Sequence, residues 1–166
     1  METIEYTCRS HLSPWKDENG NYKWWGRFNM GVVSLNLVQV ALTSNKDMDR
    51  FWKILDERLE LCKEALLFRI SLLKGTKSDV SPIHWRHGGI ARLEKDETID
   101  KLLENGYATI SLGYVGIYEM TQAMLGVSHT TKEGEKFALE VMNHLNNTCQ
   151  KWKEETGYGF GLYGTP

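Results

Sequence analysis

Cys8 is the residue with the clearest chemical potential, and it lies in the polar run Tyr6-Thr7-Cys8-Arg9-Ser10-His11. A cysteine in polar surroundings can be reactive, because its thiolate is a nucleophile and a metal ligand. The other two cysteines, Cys62 and Cys149, fall within helical patterns and are predicted to be buried, unreactive thiols. Because the three are widely spaced and form no CxxC pair, neither a zinc site nor a redox dithiol is predicted. Spacing alone does not decide whether Cys8 is a reactive thiol or a small buried side chain.

Two polar residues could assist Cys8. Ser10 follows it by two positions, so in an extended chain both side chains point to the same side. Asn29 lies between Gly26 and Gly31, and its carboxamide can donate and accept hydrogen bonds without changing charge. The alternatives are a solvated loop serine and a turn asparagine.

Other candidates are less specific. Gly113 and Gly116 flank a predicted turn before a helix, whose first amides could receive a phosphate, although such turns mostly serve packing. Arg27 is a weaker candidate, for orienting the neighbouring backbone. His84 and His87 are three residues apart with no third ligand in sequence, so no metal site is predicted.

The elements that must position these residues follow from periodicity. Over residues 47–73 apolar residues recur at helical spacing, which predicts a long helix with Ser44 or Asn45 as N-cap and Gly75 as its stop. The short apolar run 32–37 predicts a strand covered on both faces. Further elements are predicted as follows: a helix over 94–105, a strand over 107–112, a turn over 113–116, helices over 117–125 and 132–155, and an extended segment over 159–163.

This order of strands and helices predicts an α/β fold with parallel strands joined by crossovers. Only three or four strands are expected, which is few for a self-standing sheet, so the chain has the features of a piece of a larger body. A length of 166 residues suits one domain. The net charge of -2 gives no reason to expect nucleic acid or a membrane as a partner. No signal peptide or membrane span is recognisable, so a cytoplasmic location is predicted.

Several segments, in order, resemble the catalytic core of the anaerobic (class III) ribonucleoside-triphosphate reductases, which are glycyl-radical enzymes. They are Cys8-Arg9-Ser10, then Gly26-Arg27-x-Asn29-x-Gly31-Val32-Val33, and finally Tyr163-Gly164-Thr165-Pro166. The resemblance implies a partial segment of the family's ten-stranded α/β barrel, with a finger loop at about residues 6–31. Residues 1–166 would be a single fragment of that barrel, without the ATP-cone and glycyl-radical domains.

The resemblance also implies roles for individual residues. Cys8 would carry the thiyl radical that attacks the ribose, and Asn29 would hydrogen-bond the ribose. Ser10 falls where aerobic relatives place a glutamate, which agrees with formate as the reductant in the anaerobic class. Gly164 and Thr165 would begin the loop that approaches the substrate phosphates.

Cofactors and partners are implied in the same way. The radical glycine would lie on a segment outside this chain and be generated by an activating enzyme that uses an iron–sulfur cluster and S-adenosylmethionine. The substrate would be a ribonucleoside triphosphate, formate the co-substrate, ATP and dNTPs the effectors, and the full enzyme a homodimer. The fragment alone would be inactive.

Two other functions are considered beside the reductase. The chain could be a non-catalytic assembly or dimerisation piece, with the helix over 47–73 packing against a sister subunit. It could also belong to a different glycyl-radical enzyme, such as a formate-lyase relative, although the block around Asn29 favours the reductase.

Overall fold

A three-stranded parallel sheet is the centre of the chain in the computed structural model, which describes residues 12–165. Its strands are β1 (Asn29–Asn36), β2 (Thr109–Val115) and β3 (Gly159–Gly164), in the spatial order β1-β2-β3. Both strand pairs are parallel, which confirms the predicted α/β class. Cys8 and Ser10 lie outside the described residues.

Five helices connect and cover the strands in the described part of the chain. They are α1 (Leu37–Ser44), α2 (Met48–Leu73), the single turn α3 (Pro82–Trp85), α4 (Ile117–Leu125) and α5 (Lys132–Thr156). Two short 3₁₀ turns, Ser78–Val80 and Asp100–Leu102, lie between α2 and β2. None of the helices within residues 12–165 is both long and apolar enough to cross a membrane.

The predicted long helix is confirmed, but its N-cap is different. The Asp47 carboxylate accepts a hydrogen bond from the Arg50 amide at 3.0 Å and so caps the first turn of α2. Ser44 and Asn45 instead end α1, with Asn45 in the left-handed conformation at φ 54°. Gly75, also left-handed at φ 76°, follows the helix end by two residues.

The predicted helix over 94–105 is wrong. The segment forms separate turns, among them the 3₁₀ turn Asp100–Leu102, instead of one continuous helix. Part of it bonds residues 76–78: the Ile99 amide donates to Thr76 and the Ser78 amide donates to Glu97. Asp96 adopts φ 62°, which a continuing helix does not allow. The apolar residues that suggested a helix, such as Leu103, are nevertheless buried.

Two further boundaries differ from the sequence prediction. Leu37 begins α1 rather than ending β1, because the Asn36 side chain accepts a hydrogen bond from the Gln39 amide and caps that helix. Gly113 lies within β2, so the predicted turn over 113–116 is shortened to the junction at Gly116, which has φ 89° and precedes α4. The helices over 117–125 and 132–155 are confirmed.

The helices cover one face of the sheet. On that face Ile110, Leu112 and Phe160 are fully buried, and Phe160 meets Trp152 of α5 edge to face at 5.3 Å. On the opposite face Val32 is 38% exposed and Ser34 and Asn36 are also exposed. The prediction that β1 is covered on both faces is therefore wrong for the described residues, because its alternate positions are polar rather than apolar.

Candidate active site

The face of the sheet opposite the helices consists mostly of small and polar residues, and we call it the polar face. Its edge at Val32 and Ser34 is exposed, whereas Thr109 and Ser111 are buried. The register pairs Val32 with Ser111 and Ser34 with Gly113, while Ser111 pairs with Gly161. Because side chains alternate along a strand, residues two apart share a face. The polar face comprises Asn29, Val32, Ser34, Asn36, Thr109, Ser111, Gly113, Val115, Gly159, Gly161, Tyr163 and Thr165.

Asn29 stands on the polar face at the start of β1. Its Oδ1 accepts a hydrogen bond from the Gly31 amide at 2.7 Å, and its Nδ2 donates to Ser111 Oγ at 2.8 Å. A bulge separates it from the regular ladder, since three steps along β1, from Asn29 to Val32, face two steps along β2. Bulges of this kind redirect side chains, often beside active sites.

Ser13 covers the beginning of the polar face. Its amide donates to Thr109 Oγ1 at 2.9 Å and its hydroxyl lies 3.1 Å from the same oxygen. Ser13 is 5% exposed and Thr109 is fully buried. The segment that follows Cys8 and Ser10 in sequence is therefore attached to the amino end of β2.

The Arg27 side chain also holds the Ser13 segment against the backbone that precedes β2. Its Nε donates to the Tyr107 carbonyl at 2.8 Å, and its Nη2 donates to the carbonyls of Ser13 at 2.8 Å and Gly106 at 3.0 Å. The side chain is buried, and this burial lowers the pKa of the guanidinium. The contacts to backbone carbonyls agree with the sequence interpretation that Arg27 orients backbone.

The carboxyl end of the sheet brings together three of the four predicted phosphate residues, Gly113, Gly164 and Thr165. Thr165 Oγ1 and Ser34 Oγ are 2.7 Å apart, and they meet above Gly113. A Cβ at Gly113 would lie 2.5 Å from each of these oxygens, so only glycine leaves room for the pair. Gly164 ends β3 beside them. Gly116 is separate from this group, because it packs against Val38 of α1 where the chain enters α4.

The two cysteines on the helix-covered side are buried, as predicted. Cys62 of α2 is 8% exposed and burial raises the pKa of its thiol. Cys149 of α5 is 1% exposed, and burial raises the pKa of its thiol to about 12. A neutral, enclosed thiol is a poor nucleophile and a poor metal ligand. His84 bonds locally, with Nδ1 2.7 Å from the Ser81 hydroxyl.

Sequence reasoning missed Ser34, Thr109 and Ser111. Each lies within a strand where a single serine or threonine suggests only a solvated position. The available signal was the regular alternation of small or polar with apolar residues along β1 and β2, which marks a second, non-core face.

The model of the family described as "Anaerobic ribonucleoside-triphosphate reductase" matches residues 2–166. The chain belongs to this family. The match contains every segment that carried the resemblance, including Cys8, Asn29 and Thr165. It confirms the predicted family and overturns the alternative of a different glycyl-radical enzyme.

Individual reductases agree with the family match. The anaerobic ribonucleoside-triphosphate reductase of Escherichia coli (strain K12) is 44% identical over 162 residues, which are 96% of this chain and 23% of that protein. The reductase of Enterobacteria phage T4 is 41% identical over 164 residues, or 96% of this chain and 26% of the phage protein. The chain thus spans about a quarter of the length of the curated relatives it matches.

Solved structures of this family share the fold. The anaerobic ribonucleotide reductase from Thermotoga maritima with citrate in the active site aligns at a TM-score of 0.61 and 23% identity, covering 80% of this chain and 24% of that one. The same reductase in complex with dATP and CTP aligns at a TM-score of 0.61 and 22% identity, covering 91% and 24%. At this level of identity the likeness establishes the fold alone.

Proposed function

We propose that this chain supplies the thiyl cysteine and part of the ribonucleotide pocket of an anaerobic ribonucleoside-triphosphate reductase. The observation that carries the proposal is the family match over residues 2–166, which includes Cys8 and Asn29. The polar face supports it, because it offers hydroxyl and amide groups in a row along one side of a sheet. A sugar triphosphate is the kind of ligand that such a row can bind.

Cys8 performs the hydrogen transfer in this proposal. Its thiyl radical takes the C3′ hydrogen atom of the ribose, so that an S–H bond forms as the C–H bond breaks and the unpaired electron moves to C3′. Formate is the reductant: ribonucleotide, formate and one proton give deoxyribonucleotide, carbon dioxide and water. A glycyl radical on a segment outside this chain would take the hydrogen atom of the Cys8 thiol, so that a C–H bond forms as the S–H bond breaks and the unpaired electron is left on sulfur. Ser10 carries no negative charge, so it would not repel formate as a carboxylate side chain would.

Chain connectivity agrees with this placement. Five residue steps separate Cys8 from Ser13, and a fully extended chain covers at most about 3.6 Å per residue, or roughly 18 Å. Ser13 is hydrogen-bonded to Thr109 at the amino end of the polar face. Asn29 lies on that face beside the pair. Cys8 is therefore within reach of the ribose that Asn29 binds.

The triphosphate lies toward the carboxyl end of the same face. Ligands of parallel α/β sheets bind beyond the carboxyl ends of the strands. Thr165 and Gly164 stand there with Gly113 beneath Thr165, so hydroxyl and amide groups can approach the phosphates. The first amides of α4, which follow Gly116, form a second set of donors at this end.

The remaining length of the reductase completes the enzyme. A sheet with helices on one face is the form that one segment of the ten-stranded α/β barrel takes, with the polar face turned inward. Segments outside the chain contribute the radical glycine and the sites for ATP and dNTP effectors. The enzyme is a cytoplasmic homodimer, activated by an enzyme that uses an iron–sulfur cluster and S-adenosylmethionine.

An apolar stripe along α2 is where those segments pack. Leu61, Phe68 and Leu72 are 52%, 63% and 65% exposed and recur at helical spacing of seven and four residues. Since the relatives are about four times longer than this chain, we assign the stripe to contact with the rest of the same reductase.

A chimera tests the proposal. Residues of this chain replace the aligned 162-residue segment of the Escherichia coli relative, which is 44% identical. After anaerobic activation, formate-dependent reduction of ribonucleoside triphosphates is measured together with the glycyl-radical signal by electron paramagnetic resonance. The variants are Cys8→Ala and, as a matched control, Cys62→Ala, which removes a buried thiol from α2.

The expected result is turnover in the unaltered chimera and in Cys62→Ala, with loss of more than about a thousandfold in Cys8→Ala while the glycyl radical persists. Turnover that survives Cys8→Ala would refute the role of Cys8. A chimera that forms the glycyl radical but never reduces ribonucleotides would count against the whole proposal.

A further inference from the structure

The Asn29 side chain is held at both of its polar atoms. Oδ1 receives the Gly31 amide at 2.7 Å, and Nδ2 gives a hydrogen bond to Ser111 Oγ at 2.8 Å. Ser111 lies within β2 and is 1% exposed, so its hydroxyl is fixed by a buried strand. A side chain held at two points on two strands has little rotational freedom left.

The partners also determine which way the carboxamide faces. A backbone N–H can only donate, so the Asn29 atom that faces Gly31 must be the acceptor Oδ1. Nδ2 is then directed at Ser111, whose oxygen must act as the acceptor. A flipped carboxamide would oppose two donors at Gly31, which removes the usual ambiguity of an amide orientation.

The strand bulge makes this arrangement possible. The extra residue between Asn29 and Val32 breaks the regular ladder. It also places Gly31 at φ 127°, a conformation that other residues rarely adopt. A Cβ at Gly31 would lie 2.5 Å from the Arg69 guanidinium, which is the movable end of a long side chain, so it is the backbone conformation that favours glycine here. The Asn-x-Gly spacing is thus part of the geometry that orients Asn29.

We propose that Ser111 is a positioning residue for the reductase reaction, acting through Asn29. This inference rests on the proposed function, in which Asn29 binds the ribose beside Cys8. Without the Ser111 acceptor, Nδ2 loses one of the hydrogen bonds that direct it, while the Gly31 amide still holds Oδ1, so the carboxamide is less precisely oriented. The triphosphate still binds at the carboxyl end of the sheet, but the ribose is held less well relative to the sulfur. The loss therefore falls on kcat more than on KM.

The test uses the chimera described above with five variants. Ser111→Ala removes the acceptor, and Ser111→Thr retains it. Ser44→Ala is the matched control, because Ser44 is fully buried in α1 and its hydroxyl bonds the Ala41 carbonyl. Asn29→Ala, alone and combined with Ser111→Ala, completes a double-mutant cycle. Glycyl-radical yield is recorded for every variant, so that rates refer to activated enzyme.

For Ser111→Ala we expect kcat to fall about 30-fold with KM changed less than about threefold, because small misplacements of a reacting group cost up to about a hundredfold. Ser111→Thr recovers most of the rate, and Ser44→Ala retains it. In the Asn29→Ala background, Ser111→Ala lowers the rate by less than about twofold.

The outcomes separate the two proposals. If Asn29→Ala abolishes turnover while Ser111→Ala behaves like Ser44→Ala, the positioning role of Ser111 is wrong and the proposed function stands. The positioning role also fails if Ser111→Ala and Asn29→Ala combine additively. If Asn29→Ala itself retains full activity, the proposed binding of ribose by Asn29 is wrong, and Ser111 loses its role with it.

Discussion

The two faces of the sheet differ in what their side chains are able to do. On the helix-covered face Ile110, Leu112 and Phe160 are completely buried and make apolar contacts. On the polar face two hydrogen-bonded pairs join different strands: Asn29 with Ser111, and Ser34 with Thr165. The same three strands thus provide a packed side that stabilises the fold and a side whose polar groups are fixed in direction.

The comparison teaches that small residues can be as restrictive as large ones. Phe160 is fixed because it fills space against Trp152. Gly113 is fixed because any side chain would enter the space occupied by the Ser34 and Thr165 hydroxyls. Substitutions on the first face should change mainly stability, and substitutions on the second should change mainly activity.

The largest expected effect lies on the packed face. Phe160→Ala should lower the free energy of unfolding by about 4 kcal/mol, because it removes a fully buried ring and leaves a cavity. Val32→Ala, on the polar face, should cost only about 0.5 kcal/mol, since Val32 is already 38% exposed. Urea unfolding followed by circular dichroism measures both values. Equal losses would contradict the assignment of stability to the packed face.

A second effect concerns Arg27, which ties the backbone at Ser13 to the backbone just before β2. Arg27→Met retains apolar bulk but leaves the carbonyls of Ser13, Gly106 and Tyr107 without their donor. We expect a loss of about 3 kcal/mol in the free energy of unfolding, since unsatisfied buried acceptors are costly. Arg27→Lys, which keeps one cationic donor group, should lose less. If Arg27→Met left the free energy of unfolding unchanged, water would have to replace the guanidinium as donor to these carbonyls.

A third effect sharpens the role of Gly113. Gly113→Ala should cost about 2 kcal/mol, because its Cβ would lie 2.5 Å from two hydroxyl oxygens and separate the Ser34–Thr165 pair. In the chimera it should raise KM for the triphosphate about tenfold. Ser34→Ala frees part of that space, so the double variant should lose less stability than the sum of the single variants. If the two stability losses simply added, the Gly113 Cβ would not compete with the Ser34 hydroxyl for space.

The smallest effect is a pH dependence on the packed face. The Cys149 thiol has a pKa raised by burial from 9.0 to about 12, so the folded chain holds this proton more tightly than the unfolded chain. Stability from this group is present below pH 9 and lost as the pH rises toward 12. Between pH 8 and pH 10 the loss is about 1.4 kcal/mol, since one pKa unit corresponds to about that energy.

Urea unfolding of the wild-type chain and of Cys149→Ala at both pH values isolates this contribution from other groups that titrate in the range. The decline with pH should be shallower by that amount in Cys149→Ala. Parallel declines in the two proteins would mean that the thiol is accessible to water in the folded state.

The sequence predicts the elements whose stability is local. The helix α2 follows from apolar periodicity, and α4 and α5 from periodicity between glycines. The segment over 94–105 was assigned wrongly because it breaks into turns around Asp96 and part of it bonds residues 76–78, a partner that no local pattern contains. The run Val38-Gln39-Val40 favours a strand by composition, yet the Asn36 cap directs it into α1.

The candidate site residues likewise fall into those that the sequence predicts and those that it does not. Cys8, Asn29 and Thr165 were recognised because they stand in segments that resemble a family. Ser111 and Ser34 were not, because their importance depends on strand register, which determines that Ser111 faces Asn29 and that Ser34 meets Thr165. Register between strands that are about 80 residues apart cannot be deduced from one sequence.

Arg27 donates to four carbonyls, and besides that of Lys23 they belong to stretches of backbone that are remote in sequence, at Ser13 and at Gly106–Tyr107. The amino-terminal segment can therefore reach its final shape only after the second strand has docked beside the first. The position of the backbone at Ser13 is thus a consequence of the finished sheet, and a change that displaces β2 from β1 would release Ser13 as well.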